Sequence, residues 1–146
     1  MPFERPGGAP RATPFQRLGG RDAVDRIVEE FYRRLADDPE LRPLFPQDLG
    51  PGIKRQQDFL EQWLGGPPTY SRTHGNPMLR RRHFPFVIGT THAERWLMHM
   101  RAALEACNAP TDVAAEVMQR LEPLAQHMVN EGHDVPREPL RRDGEP

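Results

Sequence analysis

Apolar residues recur along this chain at the spacing of amphipathic helices. Val24, Ile27, Val28, Phe31, Tyr32 and Leu35 fall on one stripe, with Arg21, Asp22, Glu29, Arg33 and Arg34 on the other side, which predicts a helix after Gly19-Gly20. Asp37-Asp38-Pro39 ends it, and Leu41, Leu44 and Phe45 form a short apolar segment stopped by Pro46. A second helix opens at Asp48-Leu49-Gly50-Pro51, with proline in its first turn. Its inner face, Ile53, Gln56, Gln57, Leu60 and Leu64, is only partly apolar.

Gly65-Gly66-Pro67-Pro68 terminates that helix, and a loop carrying Tyr70 and His74 is expected to run to Pro77. A helical turn should then carry Met78 to His83, because Pro85 disfavours helix in the residue before it. Trp96, Leu97, Met100, Ala103, Leu104 and Cys107 mark a third long helix. Val113, Val117, Leu121, Leu124, Ala125 and Met128 mark a fourth, which Pro123 should kink or restart. Strand alternation is weak throughout, so the expected fold is all-α.

The ends differ from the middle. Residues 1–12 and 131–146 are rich in proline, glycine and charge, with little to bury against the entropy of ordering them. They read as disordered tails around one domain spanning 13–130. A chain of 146 residues suits one such core. Its formal charge of −1 and pI near 6.6 give no global basic field, so no nucleic-acid partner is expected. Cys107 is the one cysteine, which excludes an intrachain disulfide and a thiolate zinc cage. No apolar run approaches the roughly 20 residues needed to cross a bilayer, and the N-terminus lacks the apolar core of a secretory signal. No membrane association and a cytoplasmic location are the expectation.

Six histidines are present, none in the paired spacing of a zinc helix. His92 and His99, seven residues apart, read as ordinary surface or boundary histidines, as do His127 and His133. His83 stands in a different setting, Arg80-Arg81-Arg82-His83-Phe84-Pro85-Phe86, where the backbone is stiff and the surroundings apolar. That suits a haem ligand, although one histidine in such a setting is more often simply satisfied in a loop. The three arginines fit either a solvated face or an anion-binding patch. Tyr32 and Trp96 are large residues on apolar helix faces, while Gln56 puts an amide where burial is costly without a hydrogen-bond partner.

These residues also lie within a larger pattern. Phe31-Tyr32, Leu44-Phe45-Pro46, Phe59-Leu60-Glu61-Gln62-Trp63-Leu64-Gly65-Gly66-Pro67, Tyr70-Ser71, the Arg80 to Phe86 run, Trp96-Leu97 and Gln126-His127-Met128-Val129-Asn130 occur in that order. Together they resemble a bacterial group II truncated haemoglobin, from about Thr13 to Asn130. The resemblance implies a two-over-two helical sandwich around one haem b, with His83 as the proximal iron ligand. It makes Tyr32, Gln56 and Trp96 the distal residues facing the bound ligand. Phe45, Phe59, Leu60 and Phe86 become apolar haem contacts, and Arg80 or Arg82, with Tyr70 and His74, partners of the haem propionates. Gly52 stands where the family often has a small side chain, which should leave an access path. Gln56 stands where leucine is frequent.

The implied function is reversible binding of O2, with NO, CO, peroxide or sulfide as further candidate ligands. Hydrogen bonds to a charged acceptor are worth about 1.5–3 kcal/mol each, so three distal donors should slow O2 release. An enzyme reading keeps the same site, performing NO dioxygenation or peroxide chemistry with an external reductase. A reading from another class is a haem-free helical interaction module. A monomer or weak homodimer is expected.

Overall fold

The apolar stripe of α2 (Arg21–Ala36) is covered from both sides, by α3 (Gly50–Trp63) and by α6 (Thr90–Ala106), and α6 in turn packs on α7 (Thr111–His127). This is a two-over-two arrangement of the four long helices that the periodicity predicts. The computed structural model describes residues 11–139; most of the N-terminal tail and the last residues of the C-terminal one lie outside them. Among the described residues every regular element is helical. Val28, Phe31, Leu35 and Ala103 are fully buried at the α2/α6 contact. Each large apolar side chain so buried stabilises the fold by about 1.5–3 kcal/mol.

Shorter elements complete the chain. Helix α1 (Pro14–Leu18), not anticipated from the apolar pattern, is held by a reciprocal cap. Thr13 Oγ1 accepts from the Gln16 amide at 3.1 Å, and the Gln16 side chain accepts from the Thr13 amide at 2.9 Å. Gly19, at φ 115°, closes α1 in the left-handed conformation and lets the chain turn directly into α2. Where a loop was expected around Tyr70 there is a helix, α4 (Thr69–His74). The Gln62 side chain stabilises its first turn, accepting from the Ser71 amide and donating to the Ser71 hydroxyl, both at 2.8 Å. Helix α5 (Leu79–His83) is the predicted turn.

Helix α7 runs unbroken through Pro123, so no new helix starts there. Pro123 and Gln119, whose carbonyl loses its bond to the missing N–H, are both exposed, and that carbonyl can turn to water.

Two buried carboxylates staple the helices. Asp58 on α3 is fully buried and accepts from Lys54 Nζ at 2.8 Å, Arg21 Nη1 at 3.0 Å and His74 Nε2 at 2.9 Å. Burial pushes this carboxyl up, yet the bonds from Lys54, His74 and Arg21 together hold it below the usual carboxylate range. Asp38, after α2, accepts from His99 Nε2 at 2.6 Å and Arg95 Nε at 2.8 Å, both on α6. His99, read from sequence as an ordinary boundary histidine, is therefore part of an interhelical clasp.

Candidate functional site

Between the two helix pairs and α5 lies one largely apolar cavity of about 310 Å³, at the lower end of the roughly 300–1,000 Å³ usual for small-molecule and cofactor sites. Among the described residues His83, Tyr32, Gln56, Trp96 and Gly52 all line it, brought from α5, α2, α3 and α6. Phe45, Phe59, Leu60, Tyr70, Arg82 and Phe86 line it as well.

His83 ends α5, where Pro85 prevents the helix from continuing. Its Nδ1 lies 2.7 Å from the Leu79 carbonyl, which can only accept, so Nδ1 carries the proton. Burial holds the imidazole below its ordinary pKa, while the Leu79 bond acts in the opposite sense. A neutral ring protonated at Nδ1 leaves Nε2 with a free lone pair, the state a metal-binding histidine requires.

Tyr32 is buried and sits edge-on to Phe31 and Phe45, with ring centroids 5.4 and 6.0 Å away. Burial raises its hydroxyl to about 12, partly offset by nearby Arg55, so it stays protonated across the physiological range. It donates to Gln56 Oε1 over a long 3.5 Å. The other end of that amide, Gln56 Nε2, is buried and has no hydrogen-bond partner. Such an orphan donor normally costs about 1–3 kcal/mol, so this amide is suited to an acceptor brought into the cavity. Trp96 packs against Phe31 with centroids 5.0 Å apart.

The space beside position 52 is taken up by Tyr32. A β-carbon there would stand 3.3 Å from the Tyr32 hydroxyl, so the tyrosine occupies the space that the glycine leaves.

The basic residues divide. Arg82 is on the cavity wall, its Nε donating to the Pro77 carbonyl at 3.1 Å. Arg80 and Arg81 turn away, as successive positions on a helix must. Arg80 donates to the His127 carbonyl and to His133 Nδ1, each at 3.0 Å, and both guanidinium groups lie over Phe84. His74, off the cavity wall, is engaged by Asp58 while its ring packs 4.7 Å from Tyr70.

Two polar wall residues escaped the sequence reading of the site. Arg55 belongs to the helical set Gly52, Arg55, Gln56 and Phe59, and that spacing could have identified it. His92 lies one turn before Trp96 and accepts from the Gly89 amide at 2.9 Å. No group of three or more His, Cys, Asp or Glu side chains suited to a metal ion occurs among the described residues. Nor is any described helix long and apolar enough to cross a membrane.

The cavity therefore offers an apolar lining, one histidine nitrogen with a free lone pair, an amide donor without a protein partner and two arginines on its wall. Comparison with known proteins agrees. The family model described as bacterial-like globin matches residues 13–130. A group 2 truncated hemoglobin of Bacillus subtilis is 41% identical over 119 residues, spanning 82% of this chain and 89% of that protein. The crystal structure of the group II truncated hemoglobin from Bacillus anthracis superposes with a TM-score of 0.82 at 41% identity, covering 84% of this chain and 95% of that one. The X-ray structure of a truncated oxygen-avid haemoglobin from Bacillus subtilis gives 0.78 at 40%, covering 82% and 100%.

Proposed function

The chain belongs to the group II truncated haemoglobins, whose cofactor is haem b, and from that premise we propose that it binds O2 and other small diatomic ligands reversibly, with His83 as the iron ligand. When bound, haem iron would supply reversible coordination of such molecules.

The protein's part is to hold the cofactor and to set how long the ligand stays. His83 offers a bare Nε2, and its Nδ1–H bond to Leu79 fixes the ring. Phe45, Phe59 and Leu60 give apolar walls that exclude water, and Phe86 adds apolar surface at the cavity's edge. Arg82 and Arg55 are the wall cations suited to the propionates. Tyr32, kept protonated by burial, and Gln56 and Trp96 are the donors that face the ligand and slow its release.

The observation that carries this reading is the unpartnered Gln56 Nε2 in the same cavity as the free nitrogen of His83. A ligand accepting from Gln56 would satisfy a donor that is otherwise orphaned. The B. subtilis structure described as oxygen-avid lends support to O2 as the ligand. Absorption spectroscopy of the purified, haem-supplemented protein tests it. A Soret band that shifts reversibly with O2 in the ferrous state, and is lost or displaced in His83→Ala, is expected. No Soret band, or normal haem binding by His83→Ala, would refute it.

A further inference from the structure

Past the end of the globin match at residue 130 the chain returns to the back of α5, and one side chain there reaches the backbone that follows His83. We propose that Arg137 is a positioning residue for the iron-ligand segment, acting together with Asn130. The proposal rests on the reading of His83 as the iron ligand.

Arg137 Nη1 donates to the Phe84 carbonyl at 2.8 Å, to the Phe86 carbonyl at 3.3 Å and to Asn130 Oδ1 at 3.0 Å. Its Nη2 donates to the Asn130 carbonyl at 3.2 Å. Asn130 is fully buried and continues the network. It donates from Nδ2 to the His83 carbonyl at 3.2 Å and accepts the Ile88 amide at Oδ1, 3.0 Å away. Two side chains thus hold the carbonyls of residues 83, 84 and 86 and the amide of 88, at the end of α5 and along the link from it to α6.

Nη1 takes three of these acceptors and Nη2 reaches the Asn130 carbonyl, so the planar guanidinium ties the link and residue 130 together through two nitrogens at once. A lysine carries the charge but not the fork. The link also faces solvent, with Phe86 and Val87 41% and 49% exposed, so without its donors it relaxes outward into water rather than unfolding the core. The effect of Arg137 therefore falls on where the His83 backbone sits, and through it on the ring whose other anchor is the Leu79 carbonyl.

The test uses the full-length, haem-loaded ferrous protein with Arg137→Ala and Arg137→Lys. Two readouts apply: the iron–histidine stretching band by resonance Raman, and the rate of haem transfer to an apoglobin acceptor. Both variants should shift or broaden the band and lose haem about 10-fold faster, as groups that orient a metal ligand commonly do when removed. An unchanged band and unchanged haem loss in Arg137→Ala would overturn the proposal, and an Arg137→Lys protein matching wild type would overturn the forked-donor basis. A wild-type protein with no iron–histidine band, or one whose band survives His83→Ala, would sink the His83 reading itself. That result is distinct from a band present but indifferent to Arg137.

Discussion

Tyr32 and Gly52 share one space: the hydroxyl of Tyr32 lies 3.3 Å from the point where a β-carbon at position 52 would stand. The distance is tighter than ordinary van der Waals contact, so a side chain here acts first on the tyrosine. Gly52→Ala should move the hydroxyl by a few tenths of an ångström, and Gly52→Leu should displace it. If the Tyr32 hydroxyl contributes about 1.5–3 kcal/mol to holding O2, its loss speeds release about 10-fold or more. Stopped-flow O2 dissociation should rank wild type slowest, Gly52→Ala next, and Gly52→Leu close to Tyr32→Phe. Equal rates in all four would remove Tyr32 from the ligand's surroundings.

Gln56 makes stability and ligand retention pull in opposite directions. Its Nε2 is buried without a protein partner, a cost of about 1–3 kcal/mol in the haem-free chain that leucine would not carry. Gln56→Leu should therefore raise the urea midpoint of the haem-free protein. In the haem-loaded protein the same change should accelerate O2 release, read by laser-flash kinetics. A variant that is destabilised, or that releases O2 at the wild-type rate, would mean that the amide has no role toward a ligand.

Asp58 should prove essential to the fold though it is remote from the chemistry. It is fully buried and faces three cationic or protonated donors, Arg21, Lys54 and His74. Removing one partner of a buried ion pair typically costs about 3–5 kcal/mol. Lys54 is largely exposed and can swing into water, so Asp58→Ala should fall near the lower end. Because His74 closes α4, which also carries Tyr70 on the cavity wall, faster haem loss should accompany the lower urea midpoint. A stability equal to wild type would show that this cluster contributes nothing net.

The same cluster marks where the sequence became hard to read. Helices α2, α6 and α7 were legible because their buried faces are apolar at helical spacing, from Val24 to Leu35, Trp96 to Leu104 and Val113 to Leu121. The inner face of α3 is different, since Gln57, Asp58 and Glu61 are buried there. A charged residue at a core position looks like surface until its partners are known, and Arg21 and His74 arrive from α2 and α4. The cavity wall was largely readable through motifs, His83 and Tyr32 above all. The division of labour among Arg80, Arg81 and Arg82 was not, because it depends on where residues 127–138 come to lie. Nor was Arg137 visible in a stretch whose composition suggests only a tail.

Acid should loosen the contact between the end of α2 and α6. Burial pushes the Asp38 carboxyl up, but the bonds from His99, Arg95 and the Glu40 amide together hold it well below the usual carboxylate range. A carboxylate whose folded pKa is depressed stabilises the fold above its unfolded value, about 3.9. That contribution is lost as the pH falls from there toward the folded pKa, because the unfolded chain then binds the proton more readily. Asp38→Asn removes the charge at every pH, so it should cost about 1.5–3 kcal/mol near neutrality, and the gap to wild type should shrink as both are acidified. Urea midpoints of the two proteins at pH 7, 5 and 3 measure this directly. A gap that stays constant down to pH 3 would mean that the Asp38 carboxyl titrates alike in the folded and unfolded chains, so that the clasp gives its charge no net stabilisation.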